Sequence, residues 1–281
     1  MTDFLHVWQH LPAHIDPTLV AIGSFQIRYY GLMYLVAFLV TYWLLIYRIR
    51  TEHLEYSKET IQDCLMWAML GLIVGARLGY VLFYNGAYFL DHPLEIILPF
   101  TFSSGGIHFT GISGMSYHGG LVGVLIASVI FCWRRKIRFL PFADLFPAAA
   151  PLGYAFGRIG NFLNGELFGR ATTVPWGMYF PLDGTGRLRH PSQLYEAFFE
   201  GVVLFAIFWT LRKKVPRDGS LLALYIVGYG VARFFIEFVR EADPQLGLFW
   251  GYLTMGQILC LLMVAAGLSF LVFRRVQGRS A

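Results

Sequence analysis

The chain has 281 residues, of which 57% are hydrophobic and 14% charged, and it carries a formal net charge of +5. Its mean hydropathy is +0.56, whereas a soluble domain carries roughly 25% charged residues, so an ordinary water-soluble fold is excluded. The apolar residues come in long blocks, as transmembrane helices of about 20 residues require, and the excess of basic residues then bears on membrane orientation and calls for no nucleic acid.

The N-terminal "MTDFLHVWQHLPAHIDP" lacks a basic region followed by an apolar one, so no cleavable signal peptide is expected. Seven apolar segments follow, near 30–47, 62–83, 117–133, 141–161, 194–211, 220–239 and 252–273. Fourteen basic residues fall in the loops after segments one, three and five and in the tail, including Arg134, Arg135, Lys136 and Arg138, against five in the other loops. The positive-inside rule places the N-terminus outside and the C-terminus in the cytoplasm. The expected fold is an all-α, polytopic membrane protein: one membrane-embedded catalytic domain over 1–281, with a small extracytoplasmic head built from insertions near 85–116 and 165–192. The second insertion holds a short strand-like piece between turn signals at Pro175 and Asp183-Gly184. No 20–50-residue repeat and no inverted pair of interrupted helices is visible.

Cys64, Cys132 and Cys260 each stand alone in an apolar run and read as packing residues, and neither CxxC nor HExxH occurs, so no metal or cofactor is expected. Polar residues concentrate at the outer ends of the segments. "RYYGLMY" brings Tyr29, Tyr30 and Tyr34 to the interface, where an aromatic belt accounts for most of them. In "MSYHGGLVG", His118 opens the third segment beside Gly119 and Gly120. It is either an interfacial residue capping a helix or a proton acceptor or hydrogen-bond donor facing a polar cavity. "GRIGNFLNGELFGR" sets Arg158 and Asn161 one turn apart, and Glu166 and Arg170 as a second one-turn pair. In "RHPSQLYE", Pro191 suits a helix start, and Ser192 reads as a cap. "YGVARFFIEFVR" sets Tyr229, Arg233, Glu237 and Arg240 on one helical face, with an Arg233–Glu237 pair across one turn.

Arg77, Arg158 and Arg233 lie within or at the ends of the segments. Each costs at least ~2.5 kcal/mol at a helix centre. Three such arginines that cannot all be paired internally point to an anionic partner, and a guanidinium fork matches phosphate oxygens. The residues therefore describe an outward cavity of His, Arg, Asn, Glu and Tyr that suits a phospholipid phosphate. An anion or phospholipid transporter and a non-catalytic lipid-binding scaffold would draw on the same residues. Against the transporter stand the lack of inverted repeats and the clustering at outer ends.

The segments "RYYGLMY", "GARLGYVLFYN", "MSYHGGLVG", "GRIGNFLNGELFGR", "RHPSQLYE", "YGVARFFIEFVREAD" and "MGQIL" occur in this order. From about residue 25 to 260 the chain closely resembles the bacterial prolipoprotein diacylglyceryl transferases. That resemblance implies a seven-helix body with an extracytoplasmic head in the bacterial cytoplasmic (inner) membrane. It also implies transfer of the diacylglyceryl group of phosphatidylglycerol to the lipobox cysteine of a prolipoprotein signal peptide, as the first step of lipoprotein maturation. Arg158 matches the arginine that binds the lipid phosphate, with Asn161, Glu166 and Gly169 as motif neighbours. His118 matches the histidine of the family's HGG motif, Arg233 a second essential arginine with Glu237 and Arg240 beside it, and Tyr30 a functional tyrosine. Phe168 stands where tryptophan is expected, and "READ" where "RQPD" is; neither touches a charged role.

Overall fold

The computed structural model describes residues 2–22, 25–98, 100–103, 106–109, 114–216, 218–241, 249 and 252–277. Its helices are α1 (Thr2–His10), α2 (Tyr29–Thr51), α3 (Lys58–Phe83), α4 (Gly86–Asp91), α5 (Tyr117–Arg134), α6 (Phe139–Ala143), α7 (Ala150–Leu163), α8 (Ser192–Glu196), α9 (Leu204–Leu211), α10 (Ser220–Ile236) and α11 (Met255–Gln277). A π-helical stretch, Ala197–Val203, joins α8 to α9. Among the described residues, four helical spans are long and apolar enough to cross a membrane: Tyr29–Thr51, Lys58–Phe83, Ser192–Leu211 and Met255–Gln277. The pair Phe139–Ala148 and Ala150–Leu163, bent by 51°, is apolar enough only when taken together, as a broken span or a re-entrant loop, and His118–Arg134 and Ser220–Ile236 are shorter apolar helices. The chain is thus a mostly helical, polytopic membrane protein.

The all-α expectation needs one correction. Two antiparallel hairpins are present, β1 (Thr18–Ile22) with β2 (Phe25–Arg28), and β3 (Phe100–Ser103) with β4 (Gly106–Phe109). The first precedes the first apolar block and the second lies between the second and third, in short stretches where β-branched and aromatic residues favour extended backbone.

The described residues form two compact units, one from 1–53 with 140–281 and one from 54–139. In the second unit, α3 and α5 meet along glycines. A Cβ on Gly75 would lie 2.4 Å from the Gly119 carbonyl oxygen, and one on Gly123 would lie 2.0 Å from that of Gly71. Small residues at four-residue spacing let two membrane helices touch backbone to backbone. Gly119 of the HGG stretch thus serves close helix packing. Ser116 caps α5 by accepting from the Gly119 N–H. The capping reading of His118 is thereby overturned, and its side chain is exposed on the first turn of α5.

In the same unit Arg77 donates to the backbone carbonyls of Ile96 (2.8 Å), Glu95 (2.5 Å) and Gly114 (3.3 Å), and its guanidinium lies 4.9 Å from the Phe89 ring centre. Its charge is held by the chain itself.

The first unit has two polar ends. At one, Arg48 is fully buried, paired with Glu52 at 3.0 Å, and donates to the carbonyls of Asp144 and Leu145. Arg212 shares Glu52 at 3.1 Å, and the Asp144 carboxylate accepts from the N–H groups of Gly219 and Leu222 at the start of α10. Arg48 is therefore not the solvated loop charge its position suggests. At the other end the candidate site assembles.

Candidate functional site

Gly165 ends α7, adopting φ +70° while its N–H reaches the carbonyl of Phe162 at 3.0 Å. This left-handed terminator needs glycine. Leu167 follows at φ +58°, a conformation costing an ordinary side chain roughly 1–3 kcal/mol and retained where surroundings over-determine it. The surroundings here are two donors: Ser192 Oγ bonds the Leu167 carbonyl at 3.0 Å, and Gln193 Nε2 bonds the Glu166 carbonyl at 2.6 Å. Ser192 therefore does not cap α8, as its sequence position suggested; it pins the loop after α7. The expected Glu166–Arg170 turn pair also fails, because both residues lie beyond the end of α7. Glu166 Oε1 accepts from Asn161 Nδ2 at 2.9 Å, and Arg170 Nε donates to the Arg240 carbonyl at 2.8 Å.

Gly169 is squeezed between two strand-like segments. Its N–H donates to the His190 carbonyl at 2.8 Å, it bridges to Arg240, and a Cβ there would lie 2.3 Å from the Val239 carbonyl oxygen. The same backbone zipper continues through Ala171 and Met178, each bridged to Arg189. Phe162, Met178 and Phe180 form a small core under it, with Trp8, Leu11 and Phe168 against them, and Phe168 stacks on Phe180 with centres 5.1 Å apart. Phe168 is a packing residue. Helix α1 is tied to this segment by Trp8 Nε1 to the Trp176 carbonyl (3.0 Å) and Gln9 Nε2 to that of Pro175 (2.9 Å).

Above this loop the charged residues converge. Arg158 Nε lies 2.7 Å from Tyr154 Oη and 2.8 Å from Glu196 Oε2, while its Nη1 reaches Asn161 Oδ1 only at 3.4 Å. Arg233 pairs with Glu237 across one turn at 3.2 Å, as its spacing predicts, and also approaches Glu196 at 3.3 Å and Glu200 at 3.7 Å. Arg240 lies past the end of α10, in an irregular turn, yet its Nη1 is 3.8 Å from Glu196 Oε1. Glu196 is thus shared by three arginines. Tyr30, on α2, packs where Gly160 of α7 leaves room and donates to Tyr34 Oη at 3.0 Å. Tyr229 meets the Tyr154 ring edge-on, with centres 6.1 Å apart.

The expectation that the three membrane arginines cannot all be paired internally is overturned. Glu196 and Glu200, both 0% exposed, supply counter-charges that the motif reading missed. A signal was available: two acids four residues apart inside an apolar run are a functional hypothesis by default. The pairing is incomplete, however. Arg233 Nη1, Glu196 Oε1, Glu200 Oε1 and Glu237 Oε2 are buried without a hydrogen bond among the described residues. The charges are near one another, but their donor and acceptor directions are not matched. Such a cluster can accept a further polar group without building new charge into the protein.

Glu237 is held from α11. Thr254 Oγ1 bonds its Oε1 at 3.2 Å, and a Cβ on Gly256 would lie 2.6 Å from the same oxygen. Thr254 and Gln257 bond each other's N–H at 3.1 and 3.0 Å, a reciprocal cap that accounts for the "MGQIL" stretch.

The site of this helical membrane protein is thus three arginines gathered on one buried carboxylate. The chain belongs to the family described as Prolipoprotein diacylglyceryl transferase, which it matches over residues 17–273. It is 53% identical over 281 residues to the phosphatidylglycerol–prolipoprotein diacylglyceryl transferase of Chlorobaculum tepidum, covering 100% of this chain and 97% of that one. It is 45% identical over 265 residues to the enzyme of the same name from Pseudoalteromonas translucida, covering 94% of each chain. With that of Campylobacter hominis it shares 43% identity over 264 residues, covering 93% of this chain and 92% of that one.

Proposed function

We propose that the chain moves the diacylglyceryl group of phosphatidylglycerol onto the thiol of the lipobox cysteine in a prolipoprotein signal peptide, at the outer leaflet of the bacterial cytoplasmic membrane. The observation that carries this reading is the convergence of Arg158, Arg233 and Arg240 on Glu196, with a buried Arg233 nitrogen lacking a hydrogen bond. The names of the relatives supply the lipid and the protein substrate.

In the reaction a sulfur–carbon bond forms at the glyceryl carbon, and that carbon's bond to the phosphate oxygen breaks. Glycerol phosphate leaves with the bonding pair. Charge grows on the departing phosphate, and Arg158 and Arg233 are the groups that neutralise it. Asn161, Glu166, Tyr229, Glu237 and Arg240 hold these two arginines and the headgroup, Tyr30 lines the same end, and Gly169 lets the loop close beside Arg240. His118 is assigned the thiol proton on residue type and on its place in the first turn of α5, and it returns that proton to solvent. No cofactor takes part.

The topology in this reading has seven spans: the four long ones, the bent pair, and the two shorter helices α5 and α10. The N-terminus and the 85–116 and 165–192 insertions face outward, and the basic loops and C-terminus face the cytoplasm. Purified protein is incubated with phosphatidylglycerol and a lipobox peptide, and the peptide's mass is measured. A gain equal to one diacylglyceryl group is expected. An unmodified peptide, with a folded enzyme and both substrates present, refutes the reading.

A further inference from the structure

The span Ser192–Leu211 is not a regular α-helix. Between Ala197 and Val203 it is wound as a π-helix, an arrangement found mostly at functional sites. At its centre Gly201 packs on Ala155 of α7, where a Cβ would lie 2.5 Å from the Ala155 Cβ. The close approach brings the fully buried Glu196 and Glu200 to the α7 face that carries Tyr154 and Arg158.

Tyr154 is the node of that contact. Its oxygen accepts the Arg158 Nε–H at 2.7 Å. Its single phenol proton faces two carboxylates, bonding Glu200 Oε2 closely and lying 3.3 Å from Glu196 Oε2. The ring also lies under the guanidinium, 4.8 Å from its carbon. Glu196 faces Arg158 at 2.8 Å but is shared with Arg233 and Arg240, so Glu200 adds counter-charge to the cluster, whereas the neutral phenol adds none. What the phenol adds is direction. A planar guanidinium fixed through Nε has its plane set, and its two remaining nitrogens are then aimed as a unit.

We propose that Tyr154 and Glu200 are a positioning pair for Arg158: Glu200 holds the Tyr154 hydroxyl, and the hydroxyl sets the guanidinium plane so that its Nη edge meets the lipid phosphate. The pair deepens the function proposed above and rests on that reading. Neither residue touches the substrate. A loosened fork grips the phosphate less well already in the bound lipid, so part of the loss falls on the Michaelis constant for the lipid. A merely structural role would lower the amount of active enzyme and leave that constant alone.

Tyr154→Phe, Glu200→Gln, Glu200→Ala and the Tyr154→Phe/Glu200→Ala double variant are purified in lipid nanodiscs with wild type. Phosphatidylglycerol dependence of peptide modification is measured, and retention of phosphatidylglycerol is read by native mass spectrometry. Tyr154→Phe keeps the ring and should raise the lipid's Michaelis constant roughly 10-fold, with a smaller change in kcat. Glu200→Gln keeps an acceptor for the phenol but removes a counter-charge, so its Michaelis constant should lie between those of wild type and Glu200→Ala; a value as high as that of Glu200→Ala counts against the hydroxyl linkage. The double variant should be no worse than the poorer single one, since both break one linkage. An unchanged Michaelis constant for Tyr154→Phe, or additive losses in the double variant, overturns the proposal. If wild type modifies no peptide, the functional reading falls, and lipid retention alone decides the pair: equal retention by wild type and Tyr154→Phe then rejects it.

Discussion

Replacing Arg158 by lysine separates charge from geometry. In the structure the arginine's Nε meets Tyr154 Oη at 2.7 Å and Glu196 Oε2 at 2.8 Å, and Nη1 points toward Asn161. A lysine ammonium keeps the charge, so Glu196 retains a counter-ion, and Arg233 at 3.3 Å and Arg240 at 3.8 Å share it as well. Insertion and folding should survive. Lost is the fixed fork: one or two charge-assisted bonds to a phosphate, each worth about 1.5–3 kcal/mol. At 1.36 kcal/mol per factor of ten, that is a rate drop of roughly 100-fold. Arg158→Ala, which also removes the charge, should abolish nearly all activity. The assay is transfer from phosphatidylglycerol to a lipobox peptide at matched levels of folded protein. An Arg158→Lys enzyme running at near wild-type rate would refute the phosphate-fork account and reduce Arg158 to a counter-ion for Glu196.

His118→Ala should be far more damaging than His92→Ala or His108→Ala, and raising the pH should partly restore it by supplying thiolate; absence of recovery at every pH assigns His118 an orienting role. Single cysteines at 136 and 185, in a background without Cys64, Cys132 and Cys260, should react with an impermeant reagent on whole cells, with any outer envelope permeabilised, only at 185; the reverse pattern overturns the orientation. Burial raises the Asp183 carboxyl, but hydrogen bonds from Arg189 and Thr185 outweigh it and hold it below the usual carboxylate range. A depressed carboxylate stabilises the fold above its unfolded pKa and loses that contribution as pH falls through the folded value. Thermal unfolding of Arg189→Met should therefore show less acid sensitivity than wild type between about pH 4 and its acid limit; an unchanged acid slope would detach the pair from stability.

The chain's local features were legible in its residues. Long apolar blocks announce membrane helices because the hydrocarbon core leaves backbone groups no other partner. The Arg233–Glu237 pair follows from helical spacing alone, since four residues bring side chains together on any α-helix. The motif around Arg158 pointed to the end of α7, where the charged residues converge. Tertiary structure decided how the charges are distributed. Arg158 meets Glu196 across 38 positions and Tyr154 meets Glu200 across 46, contacts made where Gly201 of the π-helical stretch packs closely on Ala155 of α7. The π-helical winding that turns Glu200 inward leaves no periodic trace in "AFFEGVV". Ser192 and Gln193 look like helix-start residues, but the strained Leu167 loop takes their hydrogen bonds. A buried charge must find its partner wherever packing places one, and sequence spacing carries that information only within a single helix.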